Sequence, residues 1–338
     1  MKNSFLKNGQ LAIIAEIASA HGGDIKNLKK LISSANNTGA DFIKLQIYQF
    51  DQLVADENSK FQDLKKIEIK PKDWINVLDY AAKINANIIA EVFDRESFTF
   101  LRGRKEIHGF KIPTADIADT DFINLICDEQ KTIFLGIGGA TKSEIEIAVG
   151  YLSEYNEIDF VLLHGIQSFP TKVEDCLLNR ITDLKKQYCC PIGYADHIDA
   201  EESFLAYTIP AMAVGLGASV IEKHITLDRS KKGYDYYSSL NPEEFLDFVN
   251  YLHTIKTSLG SNLNSNLTPA EVSYRNNMKK FAILESDISS GTPLHLASVI
   301  YKRTSTPGMT RSNVDLCKHQ TAKRNFQAGH ILQEENFE

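Results

Sequence analysis

Glu16, Ser19 and His21 close the first short apolar run of this chain, and Lys44 and Gln46, two residues apart, share one face of the second. Glu91 and Asp94 end the third run. Lys111, Thr114 and Asp116 end the fourth, and a Gly136-Ile-Gly-Gly139 loop ends the fifth. His164 and Gln167 follow the sixth, Asp196 and His197 the seventh, and Glu222 and His224 the eighth. Lysines such as Lys44 and Lys111 suit an anionic substrate, a carboxylate or a phosphate. His197 and His224 could bind one divalent metal and leave coordination positions for water and substrate. The glycine loop could offer backbone N–H groups to a phosphate, or simply turn the chain into a helix. Taken singly, a strand-end lysine reads as a structural ion pair and a strand histidine as a hydrogen-bonded core residue. Their gathering at one end of eight runs is harder to assign to packing, because buried charge is costly unless paired or functional.

The elements that must position these residues alternate in two periods. Short aliphatic runs fall at 11–17, 42–47, 87–93, 110–113, 132–137, 160–163, 191–194 and 219–223. Amphipathic stretches with a period near 3.6 lie at 25–35, 72–84, 96–102, 119–127, 142–154, 175–187, 201–215 and 242–259. Thr141 and Glu144 have capping-box spacing. Eight strands each followed by a helix predict a (β/α)8 barrel, with a doubly wound sheet as the competitor. In such a barrel the C-terminal strand ends meet at one mouth, which holds the active site. A catalytic barrel is expected over 1–260, a polar linker over 261–277, and a small β-rich domain over 278–338. Within the last, Asp287-Ile-Ser-Ser-Gly291 and Arg324-Asn-Phe-Gln-Ala-Gly329 resemble each other as a weak internal repeat.

Composition excludes several classes. The chain has 338 residues, 43% hydrophobic and 24% charged, which is ordinary globular usage. Its formal net charge of −7 makes it a poor general binder of nucleic acid or anionic membrane. No stretch reaches the roughly 18 apolar residues of a membrane span. The polar residues 1–10 lack a signal-peptide apolar segment. Five cysteines, odd in number and without C-x-x-C spacing, read as reduced thiols of a cytoplasmic protein.

Five segments carry a resemblance. They are Ala15-Glu-Ile-Ala-Ser-Ala-His-Gly-Gly23, Lys44-Leu-Gln46, Lys111-Ile-Pro-Thr114, Gly193-Tyr-Ala-Asp-His197 and Gly217-Ala-Ser-Val-Ile-Glu-Lys-His-Ile-Thr226. Together they resemble the sialic acid synthase family, which includes N-acetylneuraminate, legionaminate and pseudaminate synthases and related spore-coat proteins. The resemblance runs from about residue 10 to the C-terminus. It implies a TIM barrel followed by an antifreeze-like (SAF, β-clip) domain. It further implies condensation of phosphoenolpyruvate with an N-acyl aminosugar, giving a 3-deoxy-2-ulosonic acid and phosphate. The implied cofactor is a divalent metal, manganese first and magnesium or cobalt as alternatives, on His197 and His224. By the same resemblance Glu16 is the acid/base beside the reacting centre. Lys44, Lys111 and Thr114 hold phosphoenolpyruvate, with Gln167 at a position where asparagine is common. Gln46, Asp116 and Asp235 contact the sugar. Arg303 reaches the sugar's N-acyl end in a partner subunit, which implies a domain-swapped homodimer.

The chain also departs from the family pattern. Glu91 stands where threonine usually ends strand three, Gly136 and Ala195 stand where serines are usual, and Gly165-Ile-Gln-Ser-Phe169-Pro170 replaces a Cys-Thr-x-x-Tyr-Pro pattern. Three hydroxyls that would help hold the donor are therefore missing. An ionised Glu91 beside a phosphate would be repulsive unless it pairs with a lysine or binds the metal. Tyr234-Asp-Tyr-Tyr-Ser-Ser239 also differs from the usual acceptor segment, pointing to a modified, deoxy or diacetamido, sugar. Two alternatives stand beside the synthase: a barrel lyase or transferase using pyruvate through a lysine Schiff base, and a non-catalytic sugar-binding homologue.

Overall fold

The computed structural model describes residues 10–155, 157–260 and 267–338. Two compact units divide after Gly260. The first is a closed parallel barrel of β1 (Ala12–Glu16), β2 (Phe42–Ile47), β3 (Ile88–Val92), β4 (Ile107–Ile112), β5 (Thr132–Gly136), β6 (Phe160–His164), β7 (Ile192–Asp196) and β8 (Val220–Ile225). Neighbours follow sequence order and β8 pairs back onto β1, so the doubly wound alternative is excluded. A two-residue strand, β9 (Ser239–Leu240), adds to β8 outside the closed ring.

Both faces of every strand are covered, which is why the strands read as nearly unbroken apolar runs. Ile13, Ala15, Ile43, Leu45, Ile133 and Leu135 pack outward into the large core shared with the helices. Ala12, Ile14, Ile89, Phe134, Val161, Leu163 and Val220 form a separate apolar cluster filling the barrel interior. Gly109 lies inside β4, not in a connection. A Cβ there would sit 2.9 Å from the Phe134 ring, so the glycine makes room for that ring.

Local signals start the helices. Asp24 accepts the Lys26 and Asn27 N–H groups ahead of Ile25–Asn37. Thr141 and Glu144 form a reciprocal capping box ahead of Lys142–Glu154, as their spacing predicts. Pro71 and Pro242 occupy first-turn positions of Pro71–Lys83 and Pro242–Ser258. The sixth barrel helix begins later than its periodicity indicated, at Asn179–Tyr188, because a 3-10 turn Val173–Asp175 precedes it. No helix among the described residues is long and apolar enough to cross a membrane. The polar N-terminal stretch lies outside the described residues except for Gln10.

The second unit corrects the linker expectation. Residues 261–266 fall outside the described residues, but Pro269–Met278 is a helix, capped by Thr268 and Glu271. Beyond it, β10 (Phe281–Leu284) and β11 (Val299–Lys302) pair antiparallel. They close over a small core that includes Leu284, Leu294, Met309, Phe326 and Phe337. The two repeat-like phrases lie against each other: Ile288 bridges to Phe326, and Asp287 accepts the Ala328 N–H. A short helix, Arg311–Leu316, was not foreseen.

Candidate active site

Strand register brings opposite charges together inside the barrel. Glu16 on β1 is level with Lys44 on β2, and Glu91 on β3 is level with Lys111 on β4. Lys44 Nζ lies 2.5 Å from Glu16, 2.7 Å from Glu91 and 2.8 Å from Glu222. Lys111 Nζ lies 3.0 Å from Glu222 and 3.4 Å from Glu91. All five side chains are at most 3% exposed. Burying an ion costs several kcal/mol, so these groups persist only as a mutually paired set. Burial favours the neutral form of Lys111, but Glu222 and Glu91 outweigh it and raise its pKa. Burial likewise opposes ionisation of Glu222, yet Lys111 and Lys44 hold its carboxyl well below the usual range. The set contains one more carboxylate than ammonium.

Two histidines stand beside this cluster at the mouth. His197 follows β7 directly and His224 belongs to β8, with ring centroids 5.2 Å apart. The Phe169 ring meets both edge-on, at 5.0 Å and 6.0 Å. Next to them in the chain, Asp196 and Lys223 are cross-strand neighbours joined at 2.5 Å, and Lys223 also donates to the Ile198 carbonyl. Burial pushes His197 down to about 3 and His224 well below the usual imidazole value. Both rings are therefore neutral at pH 7, as metal ligands must be. The Nδ1 atoms of both are buried without a hydrogen-bond partner. Among the described residues no group of three or more His, Cys, Asp or Glu forms a metal cage. Two unpartnered neutral imidazoles fit an open divalent site that leaves positions to water and substrate.

Above these groups opens a cavity of about 210 Å³. Its wall includes Lys44, Gln46, Gln167, His197, Glu222, His224 and Asp235, together with Tyr48, Phe93 and Phe169. Asp235 adopts a left-handed backbone and accepts the Ser19 N–H, tying the β8 loop to the β1 loop. The mouth thus joins paired ions, neutral imidazoles and an aromatic wall. Residues 31–264 match the family model described as the NeuB family. The chain belongs to the NeuB family.

Its relatives in that family act as synthases by name, and the chain is an enzyme of the synthase kind. It is 27% identical to the N,N'-diacetyllegionaminic acid synthase of Legionella pneumophila, over 96% of this chain and 94% of that protein. It is 31% identical to the pseudaminic acid synthase of Campylobacter jejuni, over 76% of this chain and 77% of that protein. Among solved structures, the N-acetylneuraminic acid synthetase of Leptospira borgpetersenii, in complex with citrate, superposes with a TM-score of 0.71 at 31% identity. That match covers 80% of this chain and 92% of that one.

The NeuB-family site of this chain gathers most of the expected residues, though not all. Gln46, Gln167 and Asp235 line the cavity directly, and Glu16 and Lys111 lie in the ion cluster. Thr114 and Asp116 sit on a 3-10 turn after β4, outside the lining of this cavity. Asp116 is pushed up to about 6 by burial, aided by Asp119 and Glu91. Arg303 is exposed in the second unit, just beyond β11. Two strand-end residues prove structural. His164 bonds the Cys176 carbonyl at 2.9 Å, and Asp94 caps its helix through Ser97. Glu222 was visible as a strand-end residue but carried no assigned role, although it pairs with both lysines. Tyr48 and Phe93 carry no role in the sequence reading, and Phe169 appears there only as a departure from the family pattern. Tyr48 could have been found, since it continues the alternation of Lys44 and Gln46.

One side of the mouth is built from backbone. A Cβ at Gly138 would lie 1.7 Å from the Gly165 carbonyl oxygen, and one at Gly165 would lie 2.2 Å from that of Ala195. The ends of β5, β6 and β7 therefore touch main chain to main chain. No hydroxyl side chain stands at Gly136, Gly165 or Ala195.

His21, expected at the mouth, packs edge-on against Trp74, and its Nδ1 accepts the Gly23 N–H. Burial pushes it down to about 4. An unfolded histidine titrates near 6.5, so between those values only the unfolded chain takes up this proton. The stability supplied by neutral His21 is intact above pH 6.5 and lost as pH falls towards 4, by up to about 3 kcal/mol. Urea melts across that window should give a shallower pH slope for His21→Gln than for wild type. Equal slopes would remove the assignment.

Proposed function

We propose that this chain condenses phosphoenolpyruvate with an N-acyl aminosugar bearing a free aldehyde, in the presence of a divalent metal. The products are a 3-deoxy-nonulosonate and phosphate. The observation that carries the reading is one cavity lined by Lys44, by Glu222, which pairs with both Lys44 and Lys111, and by His197 and His224, whose Nδ1 atoms are buried without a hydrogen-bond partner. A cation held by His197 and His224 would supply Lewis-acid polarisation of the aldehyde oxygen.

The protein's own groups do the rest. Lys44 and Lys111 neutralise the donor's carboxylate and phosphate and fix its methylene carbon towards the aldehyde. A carbon–carbon bond forms there, and water adds to the donor as phosphate leaves. Glu16 Oε1, buried and without a hydrogen-bond partner, is the proton-transfer site beside the reacting atoms. Gln46 and Asp235 contact the sugar, and Tyr48, Phe93 and Phe169 keep water out. That aromatic wall supports an acceptor with fewer hydroxyls than N-acetylmannosamine, a deoxy or diacetamido hexose. In this reading the second unit is antifreeze-like, and Arg303 serves the sugar's N-acyl group in a partner subunit of a homodimer.

At Lys111 the Schiff-base alternative gains no support, because Glu222 and Glu91 hold the ammonium protonated; at Lys44 burial lowers the pKa, so borohydride trapping with pyruvate on Lys44 separates the two readings. The test is phosphate release from phosphoenolpyruvate with manganese, across a panel of N-acyl hexosamines, with and without chelator. Sugar-dependent, chelator-sensitive release is expected. Release that ignores sugar or chelator, or none with any sugar, would overturn the reading.

A further inference from the structure

We propose that Glu91 is the specificity-determining residue of the donor site, a built-in carboxylate that competes with the donor's anionic groups for Lys44 and Lys111. The proposal rests on reading those two lysines as the donor's anchors. Glu91 bridges them: one oxygen lies 2.7 Å from Lys44 Nζ and the other 3.4 Å from Lys111 Nζ. It is fully buried, on the inward face of β3, so its charge cannot swing out to solvent. Glu16 and Glu222 alone would balance the two ammonium groups. Glu91 tips the set to a net negative charge at the place where an anion must dock.

The surrounding wall gives the competition its weight. Side-chain hydroxyls are absent at Gly136, Gly165 and Ala195, and the strand ends there press together through backbone. The charged contacts open to a donor phosphate or carboxylate are then the two lysines that Glu91 already occupies, with the Thr114 hydroxyl near Gly136 as a neutral one. The site takes its donor by exchange, with Glu91 yielding part of each lysine to the incoming anion. It accordingly disfavours highly charged donors relative to a site without this carboxylate.

The experiment compares the full chain with Glu91→Gln, which keeps the side-chain shape. Glu146→Gln serves as a control that removes the same charge from an exposed position paired with Lys142. Calorimetric titration with inorganic phosphate and with phosphoenolpyruvate should show Glu91→Gln binding about tenfold or more tightly, and Glu146→Gln unchanged. The steady-state donor KM should fall with the acceptor KM unmoved, a split that a merely structural role would not produce. Thermal melting checks the fold, which should hold because the remaining charges balance. Equal or weaker anion binding by a folded Glu91→Gln would overturn the proposal. If phosphate binding tightens but neither form releases phosphate from phosphoenolpyruvate with any sugar, Glu91's role stands and the synthase reading falls. If turnover occurs without tightening, the reverse holds.

Discussion

Alanine at His197 or at His224 is expected to lower manganese-dependent turnover by about a thousandfold or more, while the far-ultraviolet circular dichroism stays that of wild type. The magnitude follows from the several kcal/mol that a Lewis acid contributes to such a reaction, at about 1.4 kcal/mol per tenfold. The fold should survive because neither ring makes a hydrogen bond through Nδ1, and the adjacent Asp196–Lys223 pair is untouched. Because the proposal gives both rings one ion, the double variant should be little worse than either single one. Calorimetric titration of manganese should lose its heat in each variant. Either variant keeping more than about a tenth of wild-type turnover would remove the histidines from the metal.

The second large effect is on stability. Lys44→Met removes the one ammonium that lies within 2.8 Å of Glu16, Glu91 and Glu222. Breaking a buried ion pair from one side costs about 3–5 kcal/mol, since the opposing charge stays behind. For a unit of this size that lowers the melting temperature by roughly 6–15 °C. The loss should be smaller when Glu91→Gln is combined with Lys44→Met, because one of the stranded charges is then gone. A Lys44→Met variant that melts with wild type would mean that the cluster is not formed as described.

The barrel was legible because each inward strand carries its own apolar run and each helix its own stripe and cap. The fourth strand was read late, at 110, because the exposed His108 and the small Gly109 resemble a turn. The facing Phe134 ring and the Thr132 carbonyl, both on the neighbouring strand, explain that glycine. The helix Pro269–Met278 was hidden differently. Its signature, Thr268-Pro-Ala-Glu271, is in the sequence, but none of its residues is buried, so it has no apolar stripe. In the site, the polar residues at strand ends could be named one by one. Their partners could not, because pairing depends on register between strands. Glu91 reads from the sequence as an isolated charge, and only the register with Lys111 shows it as a member of a paired network. His21 and His164 show the opposite error, in which position near a strand end suggested chemistry and the contacts show packing.

The touching strand ends at Gly138, Gly165 and Ala195 also constrain how this protein can change. A hydroxyl-bearing side chain at 165 would need the Ala195 carbonyl to move first, and one at 138 would need the Gly165 carbonyl to move. Any side chain added at 138 or 165 therefore displaces backbone of the next strand end. Mutation is thereby directed elsewhere. The accessible routes to a different mouth chemistry run through inward residues such as Glu91, where a side chain can be exchanged without moving the main chain.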